Sequence, residues 1–176
     1  KVLENGKNIL ILSVGALSDS YFRKALLEKA RKSGKKIHIP SGAIMGLDNL
    51  KVGQISRIDS VLLKTTKSPQ SLGMQVATRT LVFNGKANEC IKQFPKNINV
   101  SVALALAVDH DVDVELWADP EVDRNIHDIH VFGEFGEVSI RVVNQPSPDN
   151  PATSYLAALS VLSLLKNLDN PLVIGS

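Results

Sequence analysis

The segment from Ile9 to Ile39 does most to limit the fold. It holds an unbroken apolar run, an amphipathic stretch and a second short apolar run. Ile9–Val14 (ILILSV) has no polar alternation, which suits a parallel strand buried on both faces. Asp19 or Ser20 can then cap a helix over Tyr21–Lys32. Its apolar positions, Phe22, Ala25, Leu26, Leu27 and Ala30, recur at helical spacing. Arg31 and Lys32 complement its C-terminal dipole, and Gly34 stops it. Lys36–Ile39 reads as a second short strand closed by Pro40. Strand, helix and strand in about 30 residues make one crossover unit of a parallel α/β sheet. Lys1–Asn8 reads as the end of a helix running into the first strand, with Gly6 at its cap. The expectation is that further sequence precedes Lys1.

The pattern then changes. Leu47–Gln54 reads as a short helix, Ile58–Thr66 as a strand, Ser68–Val76 as loop and Thr80–Phe83 as an extended piece. Lys86–Phe94 reads as a helix, and Asn97–Val108 as a buried one rich in Ala, Val and Leu. Val112–Trp117 alternates apolar residues with acids. Asn125–Phe132 and Glu137–Val143 flank Gly133-Glu134-Phe135-Gly136 as a hairpin. Gln145–Pro151 is a proline-broken loop, and Thr153 or Ser154 caps a last helix to about Leu168. The fold class expected is α/β: the C-terminal part of a Rossmann-like parallel sheet domain, then an α+β domain with a mixed or antiparallel sheet. Two-domain enzymes of this plan commonly hold their site between domains.

Bulk properties exclude several roles. A net charge of +2 with interspersed signs is too weak a field to argue for nucleic acid or a membrane surface. No apolar run is long enough for a membrane span. The single cysteine, Cys90, rules out an internal disulfide framework and fits a reducing, cytoplasmic setting. In its helix, beside Ala87, Ile91 and Phe94, it reads as core. One cysteine and scattered histidines give no metal-ligand spacing, and there is no G-x-S-x-G.

Several segments go beyond generic α/β patterning. They are Leu3-Glu4-Asn5-Gly6-Lys7-Asn8-Ile9-Leu10-Ile11, Ile39-Pro40-Ser41-Gly42-Ala43-Ile44-Met45-Gly46-Leu47-Asp48 and Phe94-Pro95-Lys96-Asn97-Ile98-Asn99-Val100. With them go Ala118-Asp119-Pro120-Glu121-Val122-Asp123-Arg124-Asn125-Ile126-His127-Asp128-Ile129 and Asn150-Pro151-Ala152-Thr153-Ser154-Tyr155-Leu156-Ala157-Ala158-Leu159-Ser160. In order and spacing, over essentially the whole chain, they resemble the L-aspartate dehydrogenase family of archaea and bacteria. The resemblance implies an NAD- or NADP-dependent enzyme, a homodimer, that oxidises L-aspartate to iminoaspartate. That product feeds NAD biosynthesis or hydrolyses to oxaloacetate and ammonia.

It also implies a division of the chain. Residues 1–46 would be a remnant of the NAD(P)-binding Rossmann domain, 47–152 the catalytic and dimerisation domain, and 153–176 a helix packing back toward the first part. The family's Gly-rich phosphate loop is not in this sequence: none of the eleven glycines forms G-x-G-x-x-G. A non-catalytic dimerisation or binding module derived from the fold, or a related amino- or hydroxy-acid dehydrogenase, is the alternative.

Carried residue by residue, the resemblance makes His127 catalytic and Ala43 and Asn97 cofactor-binding, with no metal. Neutral imidazole suits proton transfer near neutral pH, although a strand histidine can equally be a hydrogen-bonded structural group. On alternation His127 shares a face with Ile129 and Val131, while Asp128 and His130 face away. His38 and His110 read as structural or exposed. Ala43 follows a presumed parallel strand, where ligands bind beyond the carboxyl ends, or it sits in an ordinary tight turn. Ser13-Val14-Gly15 lies near the nicotinamide by the same rule. Asn97 can donate and accept at a ribose or carboxamide, or cap a helix, and Asn99 competes for the role. For the two substrate carboxylates the candidate cations are Arg124, Lys96, Lys64 and Lys67. Any of them can instead be a solvated surface charge.

Overall fold

In the computed structural model, which describes residues 1–95, 99–150 and 153–174, the chain opens with a 3-10 turn, Leu3–Asn5. Gly6, at φ 71°, ends it in the left-handed region. β1 (Ile9–Leu10) follows, then a 3-10 segment, Val14–Ser18. α1 (Ser20–Ser33) is capped by Asp19, whose carboxylate accepts from the Phe22 N–H at 2.9 Å. Gly34, at φ 63°, closes it, and its N–H donates to the Ala30 and Arg31 carbonyls. β2 (Ile37–His38) pairs with β1 in parallel, Ile9 opposite Ile37. The expected strand, helix and strand are therefore present.

The first strand is shorter than its apolar run. Only Ile9–Leu10 is regular, Ile9–Ile11 are half-buried, and Leu12 is 45% exposed. β1 has one neighbouring strand among the described residues, β2, so its other edge is left without a strand there. The run then breaks into the 3-10 segment, which turns Val14 and Leu17 into the core. The apolar positions of α1 are likewise sparsely covered: Ala30 is buried, but Phe22 and Leu27 are exposed.

α2 (Leu47–Leu50) begins at Gly46 and continues as a 3-10 turn over Lys51–Gln54. Gly46 has φ 80°, and a Cβ built on it would lie 2.7 Å from Cδ1 of Ile140. Gly46→Ala should therefore cost about 1–3 kcal/mol through backbone strain alone, plus whatever Ile140 must yield. A denaturant midpoint no lower than that of the parent protein would refute this.

β3 (Ile58–Lys67), β4 (Thr80–Lys86), α3 (Ala87–Gln93), α4 (Asn99–Val108), β5 (Asp113–Ala118), β6 (Ile126–Gly133), β7 (Gly136–Val143) and α5 (Tyr155–Asn167) complete the described elements. The second sheet runs β4-β5-β3-β6-β7. β3 and β5 are parallel and the other pairs antiparallel, so the sheet is mixed. The parallel pair requires a crossover, which β4, α3 and α4 supply. The β6–β7 hairpin closes at Gly133 and Gly136, as the sequence predicts.

α4 has no polar stripe and lies inside: Ser101, Val102, Ala103, Leu104 and Val108 are buried. It covers the sheet face formed by Val61, Leu63 and Thr65 of β3, Val114 and Leu116 of β5, and His127, Ile129 and Val131 of β6. Each fully buried Leu or Ile there contributes about 1.5–3 kcal/mol. One core cluster extends from Val14 to Val131, with Ile140 and the residues just after the two short strands, Ile11 and Ile39, packed against it. The opposite sheet face carries the Lys64–Glu115 pair at 3.3 Å and the Arg141–Asp128 pair at 2.8 Å. Cys90 is buried in the core, and desolvation pushes its thiol up to about 12.

Candidate active site

A cavity of about 270 Å³ opens where β1, β2 and β3 end, roofed by α4 and the start of α5. Its lining includes Ser13, Gly42, Ala43, Lys67, Asn99 and His127. This is where an open parallel sheet places its ligands, beyond the carboxyl ends of the strands. Here the mixed sheet adds the end of β3 and the start of β6 to the same mouth.

His127 sits on the inner face of β6 opposite Thr65 of β3, and both side chains are buried, at 3% and 4% exposure. Its Nδ1 lies 3.0 Å from Thr65 Oγ1. Thr65 thus fixes the ring and leaves Nε2 as the nitrogen available to the cavity. Burial first, and the Lys67 ammonium second, push the imidazole down to about 3, so it is neutral at physiological pH. A neutral ring that donates from Nδ1 to Thr65 presents a lone pair at Nε2, the tautomer a general base needs.

Lys67 is the last residue of β3, two beyond Thr65 and on the same face. It is 8% exposed, and desolvation lowers its ammonium to about 8. Among the described residues lining the cavity, Lys67 and His127 are the ionisable ones, and no Asp or Glu is among them. The other candidate cations are elsewhere. Lys64 is on the outer sheet face with Glu115, and Arg124 pairs with the exposed Asp123 at 3.2 Å. Lys96 and Asn97 lie outside the described residues.

Distant elements hold the loop at residues 41–43. The Gly42 N–H donates to Ser160 Oγ of α5 at 3.1 Å, and Asn144 Nδ2 donates to the Ala43 carbonyl at 3.0 Å. Asn144 is itself buried, and its N–H donates to the Asn125 carbonyl beside His127. Asn99 Oδ1 accepts from the Gly15 N–H at 2.9 Å, tying α4 to the turn after β1. Ala43, Ser13 and His127 therefore meet in one cavity, and Asn99 joins them. Thr65 and Asn144 carry no motif, and Ser160 stands at the end of a resembling segment without being singled out in it. Only β3–β6 register and the packing of α5 reveal them.

Residues 48–168 match the family model described as aspartate dehydrogenase, C-terminal, and residues 1–40 match the NAD-binding domain described for homoserine dehydrogenase. An L-aspartate dehydrogenase of Methanospirillum hungatei is 87% identical over 176 residues, which is all of this chain and 70% of that protein. The chain belongs to the L-aspartate dehydrogenase family. The L-aspartate dehydrogenase of Methanothermobacter thermautotrophicus is 47% identical over the whole chain and 68% of its own length. The crystal structure of aspartate dehydrogenase from Thermotoga maritima superposes with a TM-score of 0.85 at 33% identity, covering 99% of this chain and 71% of that one.

In this aspartate dehydrogenase family member the two matched segments meet at the cavity: Ser13 and Pro40 belong to one, Lys67, Asn99 and His127 to the other. A wider recess of about 640 Å³ lies behind Pro40 and Ser41. His38 borders it, with Nε2 buried and without a hydrogen-bond partner. His110 is exposed, and His130 bonds Ser139 on the outer sheet face. Among the described residues no group of three or more His, Cys, Asp or Glu could hold a metal, and no helix is long and apolar enough to cross a membrane.

Proposed function

We propose that this protein oxidises L-aspartate to iminoaspartate with NAD or NADP, and that His127 is the proton-transferring residue. The observation that carries the reading is a buried, neutral His127, oriented by Thr65, facing the same cavity as the 41–43 loop. A nicotinamide fits the lining. Pro40, Ala43, Val100 and Ala103 offer small apolar surface, and Gly42 has φ 67° with nothing within 4 Å of a built Cβ, so no side chain obstructs the backbone. Ala43 and Asn97 would hold the cofactor. When bound, it supplies the hydride acceptor.

Loss of hydride from the α carbon of aspartate leaves a protonated imine. Neutral His127 accepts a proton through Nε2, from the nitrogen or from the water that hydrolyses the imine, and returns it in the reverse direction. The hydrogen bond between Thr65 Oγ1 and Nδ1 orients the ring, and with Nδ1 as its donor it keeps the reactive tautomer. The product feeds NAD biosynthesis or yields oxaloacetate and ammonia. We read residues 1–46 as part of the nucleotide-binding domain, 47–152 as the catalytic domain and 153–176 as its closing helix. We also read the protein as a cytoplasmic homodimer. A non-catalytic module has no need of a neutral histidine and a buried lysine in one cavity.

The test is turnover of L-aspartate by the complete gene product, with NAD and NADP assayed separately. Formation of reduced cofactor supports the reading, and its absence with either cofactor, in both directions and in folded protein, overturns it. Thr65→Val should lower kcat about tenfold or more, as expected for losing one hydrogen bond worth about 1.5 kcal/mol. Unchanged kcat in that variant would remove Thr65 from the machinery.

A further inference from the structure

We propose that Asn144 is a positioning residue for the cofactor: its side-chain amide fastens the loop at 41–43 to the strand pair that carries His127. This rests on the reading of that loop as a seat for the cofactor of an aspartate dehydrogenase. On the inner face of β7, Val138 and Ile140 pack on the core and Val142 stands opposite His127. Asn144 is the next residue on that face, just past the end of the strand. An amide therefore stands where the run along this face is apolar, and the residue is 3% exposed. Its Nδ2 donates to the Ala43 carbonyl at 3.0 Å, while its Oδ1 is buried without a partner among the described residues. The bond to Ala43 is what the amide contributes at this position.

The backbone of Asn144 is fixed independently of its side chain. Its N–H donates to the Asn125 carbonyl at 2.9 Å, which extends the β6–β7 pairing one step beyond Ile126 and Val143. The Gln145 carbonyl accepts from the Tyr155 N–H at 2.8 Å, and Pro146 bridges Ser154. Residues 144–146 thus join the end of the His127 strand pair to the start of α5. The loop is held a second time through Gly42 and Ser160. Ser160 ties it to α5, and Asn144 ties it to the strands beside the base.

Loss of the amide leaves the His127–Thr65 bond in place and frees the Ala43 carbonyl, which is half-buried and can take water instead. The loop then samples arrangements besides the one that receives the cofactor. Affinity falls in proportion to the population of the receptive arrangement. Once the cofactor is bound the loop is in place, so turnover at saturation is kept. A merely structural amide would act otherwise. Fewer molecules would fold, kcat would fall with them, and the cofactor KM would not move.

The complete gene product is compared with its Asn144→Leu and Asn144→Ser variants. Leucine keeps the shape of asparagine without the amide, and the serine hydroxyl is one bond too short to replace Nδ2. Fluorescence titration gives Kd for NADH and NADPH, and the aspartate assay gives cofactor KM and kcat. For the nucleotide that the parent binds, Kd and KM should rise about tenfold in both variants, the effect of one lost hydrogen bond, with kcat within about twofold of the parent. Parent-like affinity in either folded variant would overturn the proposal, and so would a fall in kcat without a change in KM. Failure of both variants to fold, read by circular dichroism, would also overturn it, because the amide would then belong to the core. Failure of the functional reading is distinguishable: the titration would still show the Asn144 effect while aspartate reduces no cofactor. Failure of the Asn144 proposal alone would leave aspartate turnover intact, with one cofactor KM in all three proteins.

Discussion

Replacing His127 with asparagine should lower kcat for L-aspartate oxidation by about 10²–10⁴-fold, the usual contribution of a positioned acid–base group. Asparagine is the informative substitution. It can still bond Thr65 Oγ1 from the same strand position, and it leaves less of a void than alanine in a core that packs Ile129 and Val131 on the same face. It cannot accept a proton. Steady-state kinetics with the complete gene product measures the effect, and circular dichroism confirms that the variant is folded. Because Ala43 and its neighbours are positioned through Asn144 and Ser160, cofactor affinity should be retained. Near-normal kcat in a folded His127→Asn protein would exclude His127 as the acid–base group.

The second large effect is on acid stability. His127 is pushed down to about 3 in the folded protein, mainly by burial. An unfolded histidine titrates near 6.5. Above that pH both states are neutral at this site, and the residue adds no pH dependence. Below it, the unfolded chain takes up a proton that the folded protein refuses. Stability is therefore full above about 6.5 and is lost progressively as pH falls toward 3. The slope is about 1.4 kcal/mol per pH unit, so about 2 kcal/mol disappears between pH 6.5 and 5. His127→Asn should keep that increment. Denaturant unfolding of both proteins at pH 7 and pH 5 isolates it, because every other group is common to the two. Equal losses in both proteins would show that His127 is not held neutral by the fold.

Burial opposes the charged form of both His127 and Lys67, and both line one cavity.

Local patterning in the sequence determined much of this protein. The α1 cap at Asp19, the Gly34 stop, the apolar α4, the β6–β7 hairpin and the face shared by His127, Ile129 and Val131 follow from residue type and period. The motif around His127 and the loop ending in Ala43 were legible too, because those residues stand in contiguous segments. What the linear pattern could not decide was which strands are neighbours. Ile9–Val14 reads as a fully buried strand, yet with one partner it is short and half-covered. Lys64 and Lys67 look alike in sequence, but the pleat sends Lys64 to Glu115 on the outer face and Lys67 into the cavity. Thr65 reaches His127 only through β3–β6 register, and Asn144 and Ser160 reach the 41–43 loop only because distant segments pack there. Periodicity says which face a side chain takes. Which strand lies beside it, and therefore what it touches, is set by the packing of the whole chain.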